Sequence, residues 1–252
     1  RRLLTAGSSL GGARPKAATE IEGQPWIAKF QARNDSFPEC RVELATMRLA
    51  ATCGLDVPAL DFRRVLEREI YLIERFDRVS HGNWLERRPF ASGLTMLGAH
   101  ESEVSRYSYA DLAAVLRQHG TEVRRDLHEL FRRMVFNILV TNDDDHLRNH
   151  GFLFDGKGWR LSPLYDVVPK PQVGLERRLV LGVGPQGRNA TVANALAGAA
   201  GFDLAPNQAE ALVEEMCVRV AGSWEEHFTQ AGISAADRGR FATCFRLANQ
   251  NP

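Results

Sequence analysis

The sequence has no apolar run approaching the ~18 residues that a membrane-spanning helix requires, which excludes such a span. Charge of one sign is also lacking. The formal net charge is +1 over 252 residues, so bulk electrostatics offer no strong attraction to nucleic acid. Cysteine is scarce: Cys40, Cys53, Cys217 and Cys244 stand apart, and none forms a Cys-x-x-Cys pair. A zinc site is therefore not expected, and the apolar, helix-like surroundings of these cysteines read as buried reduced thiols of a cytoplasmic protein. Of the seven histidines, only His146 and His150 lie close together. No internal repeat and no low-complexity tract occurs, and neither Gly-x-Gly-x-x-Gly nor the P-loop pattern is present. The chain opens on Arg1 with no basic-then-apolar leader after it, which reads as a start partway through a longer protein.

What is present is an ordinary globular composition, 44% hydrophobic and 25% charged, enough for one large domain or two small lobes around a cleft. The arginine pairs 63–64, 87–88, 124–125, 132–133 and 177–178 are mostly interleaved with acids and read as solvated helix faces.

The first third reads as strands with one helix. A small-residue stretch from Gly7 to Ala13 begins it, and Trp26-Ile27-Ala28-Lys29-Phe30 has strand length with aromatic ends. Val42, Ala45, Leu49 and Cys53 recur at helical spacing, with Gly54 as the stop. Val65 and the run Ile70 to Phe76 read as two further strands. After a polar segment from Ser80 to Ala91 the pattern turns helical. Leu127, Leu130, Phe131, Met134, Val135, Ile138 and Leu139 form a wide stripe that predicts a buried helix. A hairpin is predicted at 151–161 around Asp155-Gly156-Lys157-Gly158, and two tail helices at about 207–221 and 235–248. The order predicts an α+β chain with a mostly β lobe over 1–78 and a mostly α lobe over 79–252.

The chemistry concentrates in Asp144-Asp145-His146-Leu147-Arg148-Asn149, followed by the hairpin and then Leu164-Tyr165-Asp166. Phosphoryl transfer needs an acceptor for the hydroxyl proton and oxygen ligands for Mg²⁺ between phosphates. A carboxylate, an amide five residues on, and a second carboxylate returned by a hairpin meet those demands. A solvated acidic loop with Asn149 capping a turn is the plainer reading of the six residues alone. Lys29 inside an apolar strand is costly unless its ammonium meets phosphates or a carboxylate such as Glu43 on the next helix. The alternative is an edge-strand lysine facing water. The small residues of Ser8-Ser9-Leu10-Gly11-Gly12-Ala13-Arg14-Pro15-Lys16 would let backbone amides approach phosphate oxygens, one strand ahead of Lys29. Ile73-Glu74-Arg75-Phe76-Asp77-Arg78 sits at the lobe boundary. In a two-lobed kinase the backbone of such a connector reads the adenine edge and an aromatic packs on the base; the plainer reading is an ordinary strand end. A glycine-rich stretch, Lys, Glu, connector, Asp-x-x-x-x-Asn, hairpin and Asp follow in the order that a kinase requires.

Residues 8–16, 74–78, 142–151 and 161–168 together resemble the HipA family of bacterial toxin kinases, up to about residue 170 and more weakly beyond. The resemblance implies a two-lobed protein-kinase-like fold and an ATP-dependent serine/threonine protein kinase that uses Mg²⁺. It makes Asp144 the catalytic base, Asn149 and Asp166 the metal ligands, and Lys29 with Glu43 the phosphate-binding pair. It further makes Gly11, Gly12, Ala13, Arg14, Pro15 and Lys16 the phosphate loop, and Glu74, Arg75 and Phe76 the adenine contact. His146, Leu147, Arg148, Asn149 and Tyr165 line the nucleotide, while a structural role suits His150. Ser9 matches the family's autophosphorylated serine, with Ser8 adjacent. A dianionic phosphate there would repel ATP from the loop. Implied partners are a protein substrate such as an aminoacyl-tRNA synthetase and a helix-turn-helix antitoxin, which is the indirect link to DNA. No membrane partner is implied. Family members generally carry a further N-terminal subdomain before the glycine-rich loop. Two rivals remain: a kinase-fold subunit that serves operator repression without catalysis, and a small-molecule phosphotransferase.

Overall fold

The structure, a computed structural model, describes residues 14–82, 84–171 and 176–250. The expected phosphate-loop residues Gly11, Gly12 and Ala13, and the serines Ser8 and Ser9, lie outside the described residues.

Strands β1 (Lys16–Ile21) and β2 (Gln24–Phe30) form a hairpin. Its two-residue turn, Glu22-Gly23, takes positive φ at both positions (52° and 79°), as the twist of paired strands favours. Helix α1 (Glu39–Thr52) follows and buries Val42, Ala45 and Leu49 completely. The expected stop is Gly54, at φ +78°. β3 (Leu60–Val65) and β4 (Arg68–Glu74) complete an antiparallel sheet in the order β1-β2-β4-β3. Sequence reading treated residue 16 as loop, but Lys16 opens β1, in register with Lys29 of β2.

β5 (Arg78–Ser80) and β6 (Leu85–Arg87) form a short ribbon. β7 (Phe90–Ser92) leads into the short α2 (Gly93–Met96), and Ser92 caps it by accepting from the Thr95 amide. α3 (Tyr109–His119) begins on a capping box in which Ser108 and Asp111 satisfy each other's backbone amides. α4 (Val123–Val140) is the expected central helix; Leu127, Leu130, Phe131, Met134, Val135 and Leu139 are fully buried. It ends at Thr141, a β-branched residue at φ +57°, which is a costly conformation. The Thr141 hydroxyl donates to the Cys244 carbonyl at 2.7 Å and accepts from Arg177, so tertiary contacts fix the turn that starts the acidic loop.

The predicted hairpin is β8 (Gly151–Phe154) with β9 (Trp159–Leu161), and β8 also pairs with β7. Asp155 closes the turn by accepting from the Lys157 and Gly158 amides at 2.9 and 3.0 Å, with its pKa drawn down to about 2 by the Thr121 hydroxyl and these amides. The remainder comprises α5 (Val192–Ala197), α6 (Pro206–Gln230), α7 (Ala235–Phe241) and α8 (Arg246–Gln250).

The tail departs from expectation in two ways. α6 runs nine residues past Ala221, through a Gly222-Ser223 pair of poor propensity. Trp224 stacks on Phe245 at 4.5 Å and Phe228 meets Phe241 and Phe245, so aromatic packing carries the helix on. The second tail helix is split, because residues 242–245 tighten into a 3₁₀ turn between α7 and α8. Two arginines also leave the expected solvated faces. Arg133 is buried, donating to Glu129 and to the Ser162 carbonyl, and Arg177 is buried against Thr141 and the 243–244 carbonyls. Each guanidinium finds acceptors inside, which offsets the cost of burying it. The four cysteines are free and buried. Among the described residues, no helix is long and apolar enough to cross a membrane.

Candidate active site

Three elements far apart in the chain converge on one ammonium. Lys29 Nζ on β2 donates to Glu43 Oε1 on α1 at 2.6 Å and to Asp166 Oδ1 at 2.9 Å. Burial alone would lower the lysine's pKa, but Glu43 and Asp166 outweigh it and hold the ammonium well above its ordinary value. Lys29 likewise holds Asp166 below the usual carboxylate range, against burial. One ammonium thus faces two carboxylates. Asp166, 45% exposed, keeps its charge, while Glu43, 5% exposed, is pushed up by burial to about 7 despite Lys29. Lys16, its backbone opposite Lys29, has its pKa lowered by burial and then by that neighbouring charge. Asp166 itself sits at φ +63°, an uncommon conformation for a residue with a side chain and one often found at functional positions.

The acidic loop presents Asp144 to solvent and fixes Asn149. Asn149 is buried, and its amide nitrogen donates to the Asp144 carbonyl at 3.2 Å, closing the Asp-x-x-x-x-Asn turn on itself. Within the loop the Asn149 backbone amide donates to the His146 carbonyl at 2.8 Å. The Tyr165 hydroxyl donates to the Arg148 carbonyl at 2.7 Å, and its ring lies 5.7 Å from that of Phe76. The loop, the residue before Asp166 and the connector are thereby joined.

The side chains of Leu147, Arg148, Arg75 and Arg14 are engaged elsewhere. Leu147 is in the core. Arg148 extends to Glu101 at 2.9 Å, Arg75 pairs with Asp77 at 2.7 Å, and Arg14 pairs with Asp35 at 2.8 Å and with Glu39. Glu74 ends β4 opposite Trp26, with its amide donating to the Ala59 carbonyl at 2.9 Å. The Pro15 carbonyl accepts from Phe30, extending the β1–β2 pairing.

Sequence reasoning missed a buried polar chain behind the loop. Asp145, 2% exposed, accepts from the Tyr109 hydroxyl and lies 3.0 Å from His150 Nε2. Asn137 donates to the Tyr109 oxygen at 3.1 Å, and Asn142 donates to Asn137 at 3.0 Å. The available signal was Asn137 itself, an amide set within the apolar stripe of α4. The structural role expected of His150 fits this place in the chain.

Among the described residues no three His, Cys, Asp or Glu side chains cluster as a metal cage. Mg²⁺ needs only one or two protein oxygens when phosphates and water complete its shell, and Asn149 with Asp166 could supply them. His146 Nδ1 is buried without a hydrogen-bond partner, and its ring acts electrostatically on Asp166.

The model of the HipA-like C-terminal domain matches residues 8–224 of this chain. The chain belongs to that family. Relatives include a Sinorhizobium fredii protein named as a candidate kinase, Y4mE, 30% identical over 159 residues that cover 61% of this chain and 36% of the relative. Another is a Haemophilus influenzae candidate kinase, 27% identical over 190 residues covering 66% and 55%. The chain thus spans roughly a third to a half of the curated relatives it matches. The fold is shared with HipA of Shewanella oneidensis, solved with HipB and its operator DNA. That match has a TM-score of 0.75 at 18% identity, over 96% of this chain and 64% of that one. It is also shared with the Helicobacter pylori proinflammatory kinase CtkA, at a TM-score of 0.61 and 12% identity, over 98% and 96%. The architecture is therefore the α+β, protein-kinase-like fold expected from the order of motifs.

Proposed function

We propose that this HipA-like domain is an ATP-dependent serine/threonine protein kinase, divided into lobes at about residue 78. The observation that carries the reading is the Lys29 bridge between Glu43 and Asp166, a segment tied to the Asp144–Asn149 loop by the Tyr165–Arg148 hydrogen bond. In this reading Lys29 binds ATP phosphates, Asn149 and Asp166 hold Mg²⁺, and Asp144 accepts the proton of the acceptor hydroxyl. Mg²⁺ would neutralise charge on the phosphates. Phe76 and Tyr165 would pack on the base, the backbone at Glu74 would read its edge, His146 would line the nucleotide, and Gly11 to Ala13 would cradle its phosphates. Ser9 or Ser8 would be the self-modified position.

The cellular role we infer is that of a cytoplasmic toxin that phosphorylates a translation component such as an aminoacyl-tRNA synthetase and is held by a DNA-binding antitoxin. It is supported by family membership and by likeness to a HipA solved with HipB and operator DNA. That same likeness favours a second reading, a kinase-fold subunit that serves repression without catalysis.

Incubation with Mg²⁺ and labelled ATP, wild type beside Asp144→Asn, followed by mass mapping, tests the first reading. Phosphate on Ser9 or Ser8 in the wild type alone is the expected result. No phosphate in either, with growth arrest unchanged by Asp144→Asn or Asp166→Ala, would transfer the case to the second reading.

A further inference from the structure

Lys170 belongs to none of the motifs above, yet its Nζ lies 3.0 Å from Asp144 Oδ2 and 3.7 Å from Asp143 Oδ1. Its backbone is fixed as well, since its amide donates at 3.0 Å to the carbonyl of Thr141, the residue that turns the chain into the acidic loop. The lysine follows Asp166 by four positions, so the segment carrying it is tied to the centre at both ends.

A pair this exposed, 45% for Lys170 and 62% for Asp144, contributes little to folding stability. Its meaning lies in position. A transferring phosphoryl group spreads negative charge over its oxygens, and a fixed cation beside the base stabilises that charge. The loop's own cation, Arg148, is turned away to Glu101, and Lys29 meets Glu43 and Asp166 rather than Asp144. Among the described residues, Lys170 is the ammonium seen on Asp144.

We propose that Lys170 is a catalytic residue, holding Asp144 in place and binding oxygens of the phosphoryl group during transfer. The proposal rests on the kinase reading. In the step, the acceptor oxygen bonds to the γ-phosphorus while the bond from that phosphorus to ADP breaks, its electron pair leaving with ADP. The hydroxyl proton passes to Asp144. Lys170 takes no part in the proton transfer, so the balance closes on Asp144.

The test uses the full chain as wild type, Lys170→Met and Lys170→Arg. Each is titrated with Mg²⁺·ADP, then with Mg²⁺·ADP plus aluminium fluoride as a mimic of the transferring group, and assayed for ADP release from Mg²⁺·ATP. Lys170→Met should bind ADP within about threefold of wild type but lose about 100-fold in the aluminium fluoride complex and in kcat. Lys170→Arg should keep most of both. Fluoride-complex affinity and kcat unchanged in Lys170→Met would overturn the proposal, and so would an equal loss of ADP binding, which marks a structural role. Should Lys170→Met melt early, Lys170→Gln takes its place with the same two outcomes. A wild type that neither forms the tight complex nor releases ADP sinks the kinase reading and this proposal with it. A competent wild type beside an unimpaired Lys170→Met sinks this proposal alone.

Discussion

Lys29 and Asp166, 137 positions apart, meet at 2.9 Å, with Glu43 on the same ammonium at 2.6 Å. Strand β2, helix α1 and the segment after the β8–β9 hairpin are therefore coupled through a single charge. Because Glu43 is buried, the coupling is sensitive to removal of the cation.

Lys29→Met should abolish most phosphoryl transfer and also destabilise the fold, by about 1–3 kcal/mol, since two carboxylates are left without their counter-charge. Adding Glu43→Leu should recover part of the stability and none of the activity. Urea denaturation of the single and double variants, beside an ADP-release assay, separates the two effects. Equal stability of Lys29→Met and wild type would mean that the triad is not a structural tie.

The pH dependence follows from Glu43. Its folded pKa, about 7, lies above an ordinary glutamate's value of about 4.3. A carboxyl raised on folding favours the folded state while protonated. Its contribution is complete below about pH 4.3 and is lost as pH rises through about 7. Wild-type stability should fall between pH 5 and 8, by on the order of 2 kcal/mol from this group, and Glu43→Gln should flatten that slope. Urea titrations at four pH values across the window check it. A slope identical in both proteins would remove Glu43 as its source.

Behind the loop, Tyr109→Phe takes a hydroxyl from buried Asp145 and from the Asn137 amide. The expected cost is about 1–3 kcal/mol, the range for leaving buried polar groups unsatisfied. Because Asp145 adjoins Asp144, kcat should fall while nucleotide affinity stays near wild type. Thermal melts with ADP titrations decide this, and a weakened ADP affinity at unchanged kcat would contradict it.

Much of the framework was legible from residue pattern. The stripe from Leu127 to Leu139 had to be a buried helix, because only a 3.6-residue period places those side chains on one face. The hairpin followed from two apolar runs around Asp155-Gly156-Lys157-Gly158, and the end of α1 from Gly54. The length of α6 was not legible, since Gly222 and Ser223 argue locally for a stop. Only contact of Trp224 and Phe228 with residues near the C-terminus overrides them. The burial of Arg133 and Arg177 was hidden for the same reason: each depends on acceptors from remote segments.

The sequence by itself determined which chemical groups are available and their order: a lysine in an apolar strand, a glutamate on the following helix, Asp144 and Asn149 at fixed spacing, and Asp166 after a turn. These are local facts, set by propensity, period and covalent distance. The tertiary structure decided which of them meet. It brought Lys29 to Asp166 across most of the chain, aimed Arg148 away, placed Asp145 inside and swung Lys170 onto Asp144. Such pairings carry no periodic signature, because a salt bridge or buried hydrogen bond depends on side chains that only packing makes neighbours.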